Sequence, residues 1–229
     1  MTPADWEDTR VRSGIGRMLA LRAERLAAGE RAIGWKLGFG APASLQRFGL
    51  SGPLVGFLTD ARLHDPRSTV SCAGWENPVA ELEIAVHIGA DAHPEDVASA
   101  ISGLGAAIEL ANVHPPPDDL EEVLAGNIYH QAVILGAPDP TRAGGARTGL
   151  RALINQGGTD VADITDLEAL TGDLIAIVGH AAALLAAAGE QLVAGDVVIA
   201  GSVVPPLPIH PGEEIVFELA PLPPISVHV

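Results

Sequence analysis

Apolar positions along the first thirty residues repeat with a helical period. Over 9–28, Val11, Ile15, Met18, Leu19 and Leu26 share one face, arginines take the other, and Gly29 stands where a helix stops. This predicts an amphipathic helix. A glycine-flanked strand is predicted over 32–40, a helical turn over 41–48 and a strand-like stretch over 53–63. Farther on, β-branched runs separated by Gly, Pro and Asp predict strands over 79–88, 131–135, 196–200, 214–219 and 225–229. Helices are predicted over 94–103, extending toward 110, and over 118–124, 145–156 and 173–188, with a proline-rich acidic connection at 115–122. Strands that outnumber helices without strict alternation predict an α+β fold with a large mixed sheet. The division expected is one domain over 1–229, with an N-terminal helical segment (1–66) and a β-rich core (67–229).

The stretch 79–88 holds the chemistry. Side chains alternate along a strand, so Ala80, Leu82, Ile84, Val86 and Ile88 make one apolar face, while Glu81 and Glu83 leave together from the other, roughly 7 Å apart. Two carboxylates so placed against a core sheet repel each other and resist desolvation. Either one keeps a proton or a cation sits between them. Magnesium takes about six oxygens and commonly leaves several to water or substrate, so one further carboxylate would suffice. Glu109, alone in the apolar run 104–113, is the candidate, read here as part of a helix. His87 shares the glutamate face but lies roughly 13 Å beyond Glu83, too far for the same ion, and reads as a satisfied surface histidine.

Charge sharpens this picture. The formal net charge is −16, and residues 37–229 hold six basic against twenty-four acidic side chains. Such a surface disfavours nucleic acid and anionic lipid as partners. Lys36, between Gly34 and Gly38, is the only lysine in the chain. The single cysteine, Cys72, excludes an internal disulfide and reads as a small, half-buried apolar residue. The longest apolar run, 174–188, is shorter than the roughly 20 residues of a membrane span and contains His180, so it reads as a core helix. The N-terminus is acidic where a secretion signal needs basic residues, and a cytoplasmic location is expected.

Several segments, in order, resemble the fumarylacetoacetate hydrolase superfamily, within it the branch of 2-keto-4-pentenoate hydratases and 4-oxalocrotonate decarboxylases. Gly34-Trp35-Lys36-Leu37-Gly38 is similar to the family's G-x-K-x-G, and 52–56 to its P-x-x-G segment. Glu81 and Glu83 fall at its E-x-E metal motif, and Glu109, in Ala107-Ile108-Glu109-Leu110, at its third metal ligand. Asn127 ahead of 132–136 resembles the D-N-x-S stretch. The segment 195–202, ending in Ser202, resembles G-D-x-I-x-T-G-S, where a loop meets the substrate. The chain departs from the pattern twice: Gly126 stands where the family has an acid, and Asp173 where it has a histidine.

The resemblance implies a fumarylacetoacetate-hydrolase-like fold, with a mixed β-sheet roll and an N-terminal helical segment. It also implies magnesium or manganese on Glu81, Glu83 and Glu109, and substrate contacts from Lys36, Asn127 and Ser202. A 2-oxo acid that chelated the metal would have its ketone polarised, and negative charge forming on that oxygen would be stabilised as an enolate. Three glutamates, the metal and a substrate carboxylate sum to about −2, which calls for a nearby cation, and Lys36 fits. Lys36, Tyr129, His130 and Asp173 are the candidate catalytic residues, the last three for proton traffic. The reaction expected is hydration of a 2-hydroxydienoate. The alternatives are 2-oxo acid decarboxylation, acylpyruvate-type hydrolysis, or a non-catalytic partner subunit; homo-oligomerisation is expected by resemblance.

Overall fold

The computed structural model describes residues 3–113 and 119–229. Five helices are present among them: α1 (Thr9–Ala27), α2 (Pro42–Phe48), α3 (Val97–Ala100), α4 (Leu120–Ala125) and α5 (Leu174–Ala187). Helix α1 begins at Asp8, whose carboxylate accepts from the Arg10 backbone N–H at 2.8 Å and fills an otherwise empty first-turn bond. It buries Val11, Ile15 and Met18, as its periodicity predicts, and packs on α4. Position 118 of the helix predicted over 118–124 lies outside the described residues, as do 115–118 of the acidic connection.

The strands are β1 (Ala32–Gly38), β2 (Leu54–Thr59), β3 (Leu63–His64), β4 (Ser68–Thr69), β5 (Pro78–Ile88), β6 (Ile101–Asn112), β7 (His130–Leu135), β8 (Arg151–Gln156), β9 (Thr159–Ile164), β10 (Val197–Ser202), β11 (Leu207–Pro208), β12 (Glu214–Ala220) and β13 (Ile225–His228). They form two sheets. The larger runs β2-β1-β10-β5-β6-β7-β3, with β11 beside β5, and mixes parallel and antiparallel pairs. The smaller runs β4-β13-β12-β8-β9 and packs on the larger at β5, β6 and β7. Strands β1 and β2, from the N-terminal segment, sit within the larger sheet, so that segment contributes strands as well as helix.

Each face of β5 meets its own apolar layer. Ala80, Leu82, Ile84, Val86 and Ile88 join the main core with Phe217 and Ile215 of the smaller sheet. On the glutamate face, Leu58, Ala85, Ala107, Val133, Val197 and Ile199 form a second, smaller cluster inside the curl of the larger sheet. The carboxylates therefore stand on an apolar floor.

Two predicted helices are strands instead. The helix predicted over 94–103 and toward 110 is one turn, α3, followed by β6, which pairs with β5 along its length. Strand β6 is buried on both faces, so it lacks the alternation that marks a half-buried strand, and its alanines favour helix locally. Burial between two strands overrides that preference. The helix predicted over 145–156 is a loop leading into β8, paired with the unpredicted β9 through Gly157-Gly158. No helix among the described residues is long and apolar enough to cross a membrane.

Candidate metal centre

The β5–β6 register places Glu81 directly opposite Glu109 and Glu83 opposite Ala107. Facing residues of an antiparallel pair point to the same side, so the three carboxylates converge. Ligand oxygens of Glu81, Glu83 and Glu109 all lie within 4.8 Å of one another. Glu109 thus reaches the cluster from a strand, not from the predicted helix.

Glu83 and Glu109 are fully buried, and Glu81 is partly open to a cavity. Lys36, also buried, lies across the sheet with its Nζ paired to Glu109 Oε1 and donating to the Ile128 carbonyl at 3.2 Å. His130 meets the same oxygen from the other side, with Nδ1 2.9 Å from Oε1. The second oxygen of Glu83 accepts from the Gly201 backbone N–H at 2.6 Å. After these bonds, Glu83 Oε1 and Glu109 Oε2 are buried with no partner. Bare buried carboxylate oxygens carry a full desolvation penalty, and a shared cation removes it. The donor set, all hard oxygen, suits a divalent metal that prefers oxygen.

Protonation follows from the same arrangement. Burial, opposed by Lys36 and reinforced by Glu109, pushes the Glu81 carboxyl up to about 7. Burial with Glu109 and Glu81 nearby holds Glu83 well above the carboxylate range. Burial also opposes ionisation of Glu109, but Lys36 and His130 outweigh it and hold that carboxyl low. Lys36 is held charged because its three acidic neighbours overcome the cost of burying an ammonium. Burial lowers His130, so its ring is neutral and donates from Nδ1 to the ionised Glu109, leaving Nε2 a buried acceptor without a partner. Metal-free, the cluster holds protons where a metal would sit.

Backbone geometry around Lys36 is tight. Asn127, Ile128 and Tyr129 are three consecutive non-glycine residues with φ of 58°, 51° and 62°. Such a run is costly and needs outside support. The Asn127 amide supplies it, accepting from Phe57 N at 2.7 Å and donating to Phe57 O at 3.0 Å, as a neighbouring strand would for β2. A side chain at Gly56 would come within 2.7 Å of Asn127 Oδ1 and 2.9 Å of Lys36 Cγ, and one at Gly38 within 2.9 Å of Ile128 Cγ2. These glycines leave the room that Lys36 and the arch require.

A cavity of about 330 Å³ opens onto the cluster. Lys36, Glu81, Tyr129 and Ser202 line it. Ser202 Oγ accepts from Leu82 N at 3.1 Å, so that hydroxyl is tied to β5. Asn127 is buried behind the wall with both amide atoms engaged. Asp173 is not among the lining residues. It caps α5, accepting from Ala176 N at 2.9 Å, and pairs with Arg147 at 3.0 Å on the surface. His87 is half-buried, not a surface residue, and its Nε2 has no partner. Sequence reasoning missed two contributors, the Ile128 carbonyl and the Gly201 N–H. Both are backbone groups, which no side-chain pattern announces.

No protein-family model matches the chain. A 4-oxalocrotonate decarboxylase from a Pseudomonas species is 25% identical over 218 residues, covering 93% of this chain and 83% of that one. A solved 4-oxalocrotonate decarboxylase from Pseudomonas putida, complexed with magnesium and adipate, superimposes with a TM-score of 0.83 at 25% identity, over 92% of this chain and 82% of that one. The chain has the fumarylacetoacetate hydrolase fold. The resemblance read from its motifs, to that superfamily and its hydratase and decarboxylase branch, agrees with these relatives. By fold alone it is also similar to a fumarylpyruvate hydrolase from Pseudomonas aeruginosa, solved with manganese and pyruvate: TM-score 0.66, 15% identity, 87% of this chain and 89% of that one.

Proposed function

We propose that this fumarylacetoacetate-hydrolase-like protein is a divalent-metal-dependent lyase acting on small 2-oxo acids, with magnesium or manganese held by Glu81, Glu83 and Glu109. The supporting observation is the pair of partnerless buried oxygens, Glu83 Oε1 and Glu109 Oε2, within a three-carboxylate cluster that opens on a cavity. Bound there, the metal supplies Lewis acidity toward the ketone oxygen of the substrate.

The residues divide the remaining work. His130 and Lys36 both grip Glu109 Oε1, which turns Oε2 toward the cluster, and the Gly201 N–H does the same for Glu83. The Lys36 ammonium offsets negative charge forming on a substrate oxygen. Tyr129, one of the residues lining the cavity, is the candidate proton donor, and Ser202 shapes the adjacent wall. Asn127 acts through the arch it holds, and Asp173, outside the cavity lining, through the start of α5.

For the bond changed, hydration of a 2-hydroxydienoate is proposed, because the cavity wall is mostly apolar. Decarboxylation is the second reading, favoured by likeness to 4-oxalocrotonate decarboxylases over most of the chain. Self-association and a cytoplasmic location belong to the same proposal, by family likeness. The test is ultraviolet loss of dienol and 2-oxo acid substrates with and without magnesium. Product mass then reports whether water is gained, carbon dioxide is lost or two acids form. Failure to turn over any 2-oxo acid in magnesium would discard the reading.

A further inference from the structure

The cavity beside the carboxylates has a one-sided chemistry. Lys36 is the only basic side chain among its described lining residues, and its ammonium is already engaged by Glu109 and the Ile128 carbonyl. Away from the metal-binding oxygens, α5, the loop before it and the segment after β10 contribute apolar walls such as Ile177, Leu170, Val204 and Pro205. The Thr171 hydroxyl is turned toward the backbone of Leu167 and Gly172 at 3.5 and 3.4 Å. Neutral hydroxyls can orient a ligand but cannot neutralise a charge.

The charge count points the same way. Three glutamates, one lysine and one dication balance, so a first substrate carboxylate already makes the site anionic. A second carboxylate at the far end would be desolvated against apolar side chains, with no further cation among the described lining residues to meet it, inside a chain of net charge −16. The relative solved with adipate accommodates a dicarboxylate.

We infer that this chain selects 2-oxo acids whose far end is uncharged and apolar, and discriminates against dicarboxylic ones. The inference rests on the keto-acid reading above. It sets the chain apart from relatives named for a dicarboxylate, and it excludes loss of a far carboxylate as the bond broken.

The experiment is calorimetric titration of the magnesium-loaded protein with 2-oxohexanoate and 2-oxoadipate, six-carbon acids that differ by a methyl or a carboxylate at the end. Expected is tighter binding of 2-oxohexanoate by about tenfold or more. In Ser44→Arg, which adds a cation at the partly exposed cavity wall on α2, the ratio of the two affinities should shift toward 2-oxoadipate. Equal or tighter binding of 2-oxoadipate by the unaltered protein overturns the inference and leaves the keto-acid reading intact. So does release of carbon dioxide from an unsaturated 2-oxo dicarboxylate at rates matching hydration of a monocarboxylic dienoate. An unchanged ratio in a folded Ser44→Arg protein also counts against it, and binding of neither acid removes the keto-acid reading and this inference together.

Discussion

Two buried acidic sites in this molecule are built in opposite ways. Asp5, near the N-terminus, is buried and accepts from Ser51 N at 2.8 Å and Ser51 Oγ at 2.8 Å, with His180 Nε2 3.5 Å from Oδ2. Both of its oxygens are engaged. At Glu81, Glu83 and Glu109 three carboxylates crowd within 4.8 Å, and two buried oxygens have no donor at all. A carboxylate that fastens the fold is surrounded by donors. The three crowded carboxylates keep lone pairs bare, as the proposed metal site requires, and burial favours protons on Glu81 and Glu83 in the metal-free state.

Substitutions can break this contrast. The largest effect is expected from Glu83→Gln, which removes charge and an oxygen ligand while the apolar face of β5 keeps its packing. Magnesium affinity should fall by more than about 100-fold with the circular dichroism spectrum unchanged. Calorimetry giving unaltered affinity would remove Glu83 from the metal site. For Lys36→Met, turnover should drop by about 100- to 1000-fold while metal binding persists. The metal-free protein should also lose stability, because buried Glu109 loses the cation paired with it. Near-normal rates would take the lysine out of the chemistry.

Next in size is Asn127→Ala. It strips two buried bonds from Phe57 and places alanine at positive φ, so urea unfolding should report a loss of about 2–4 kcal/mol. A change confined to KM, with stability intact, would instead make Asn127 a direct substrate contact.

The pH dependence sharpens the comparison further. Folded-state values for Glu81 and Glu83 lie above those of the unfolded chain, so the folded, metal-free protein holds protons that unfolding releases. The contribution of these two groups to stability is therefore fully present below the ordinary value of 4.5 and is lost as pH rises through about 7. Magnesium replaces those protons, so its affinity should rise by up to about tenfold per pH unit and proton over that window. Thermal melts should then show greater magnesium stabilisation at pH 8 than at pH 5, and the reverse order would contradict the assigned protonation. The smallest effect is expected for Asp5→Ala, a loss of about 1 kcal/mol with magnesium affinity unchanged.

Much of the three-carboxylate cluster was legible in the sequence because a strand projects alternate residues to one side. That rule alone put Glu81 and Glu83 together and gave β5 its apolar back. Glu109 stood out as the lone acid in an apolar run and Lys36 as the only lysine, resemblance then gave both a role, and their pairing with the first two is set by strand register. Their environments were not legible. Glu109 read as helical because alanines and a doubly buried strand hide the two-residue alternation, and Asp173 matched a motif position that the fold uses to start α5 on the surface.

By itself, the sequence determined the local facts: which residues face together along β5, where α1 and α5 run, and that a lone lysine sits between two glycines. Those depend on periodicities of a few residues, which the chain fixes without reference to its neighbours. Only the tertiary structure decided which oxygens stay bare, which backbone groups from Ile128 and Gly201 enter the site, and how apolar the cavity wall is. These depend on contacts between segments far apart in the chain, and on desolvation, which exists only once the sheet has curled around the cluster.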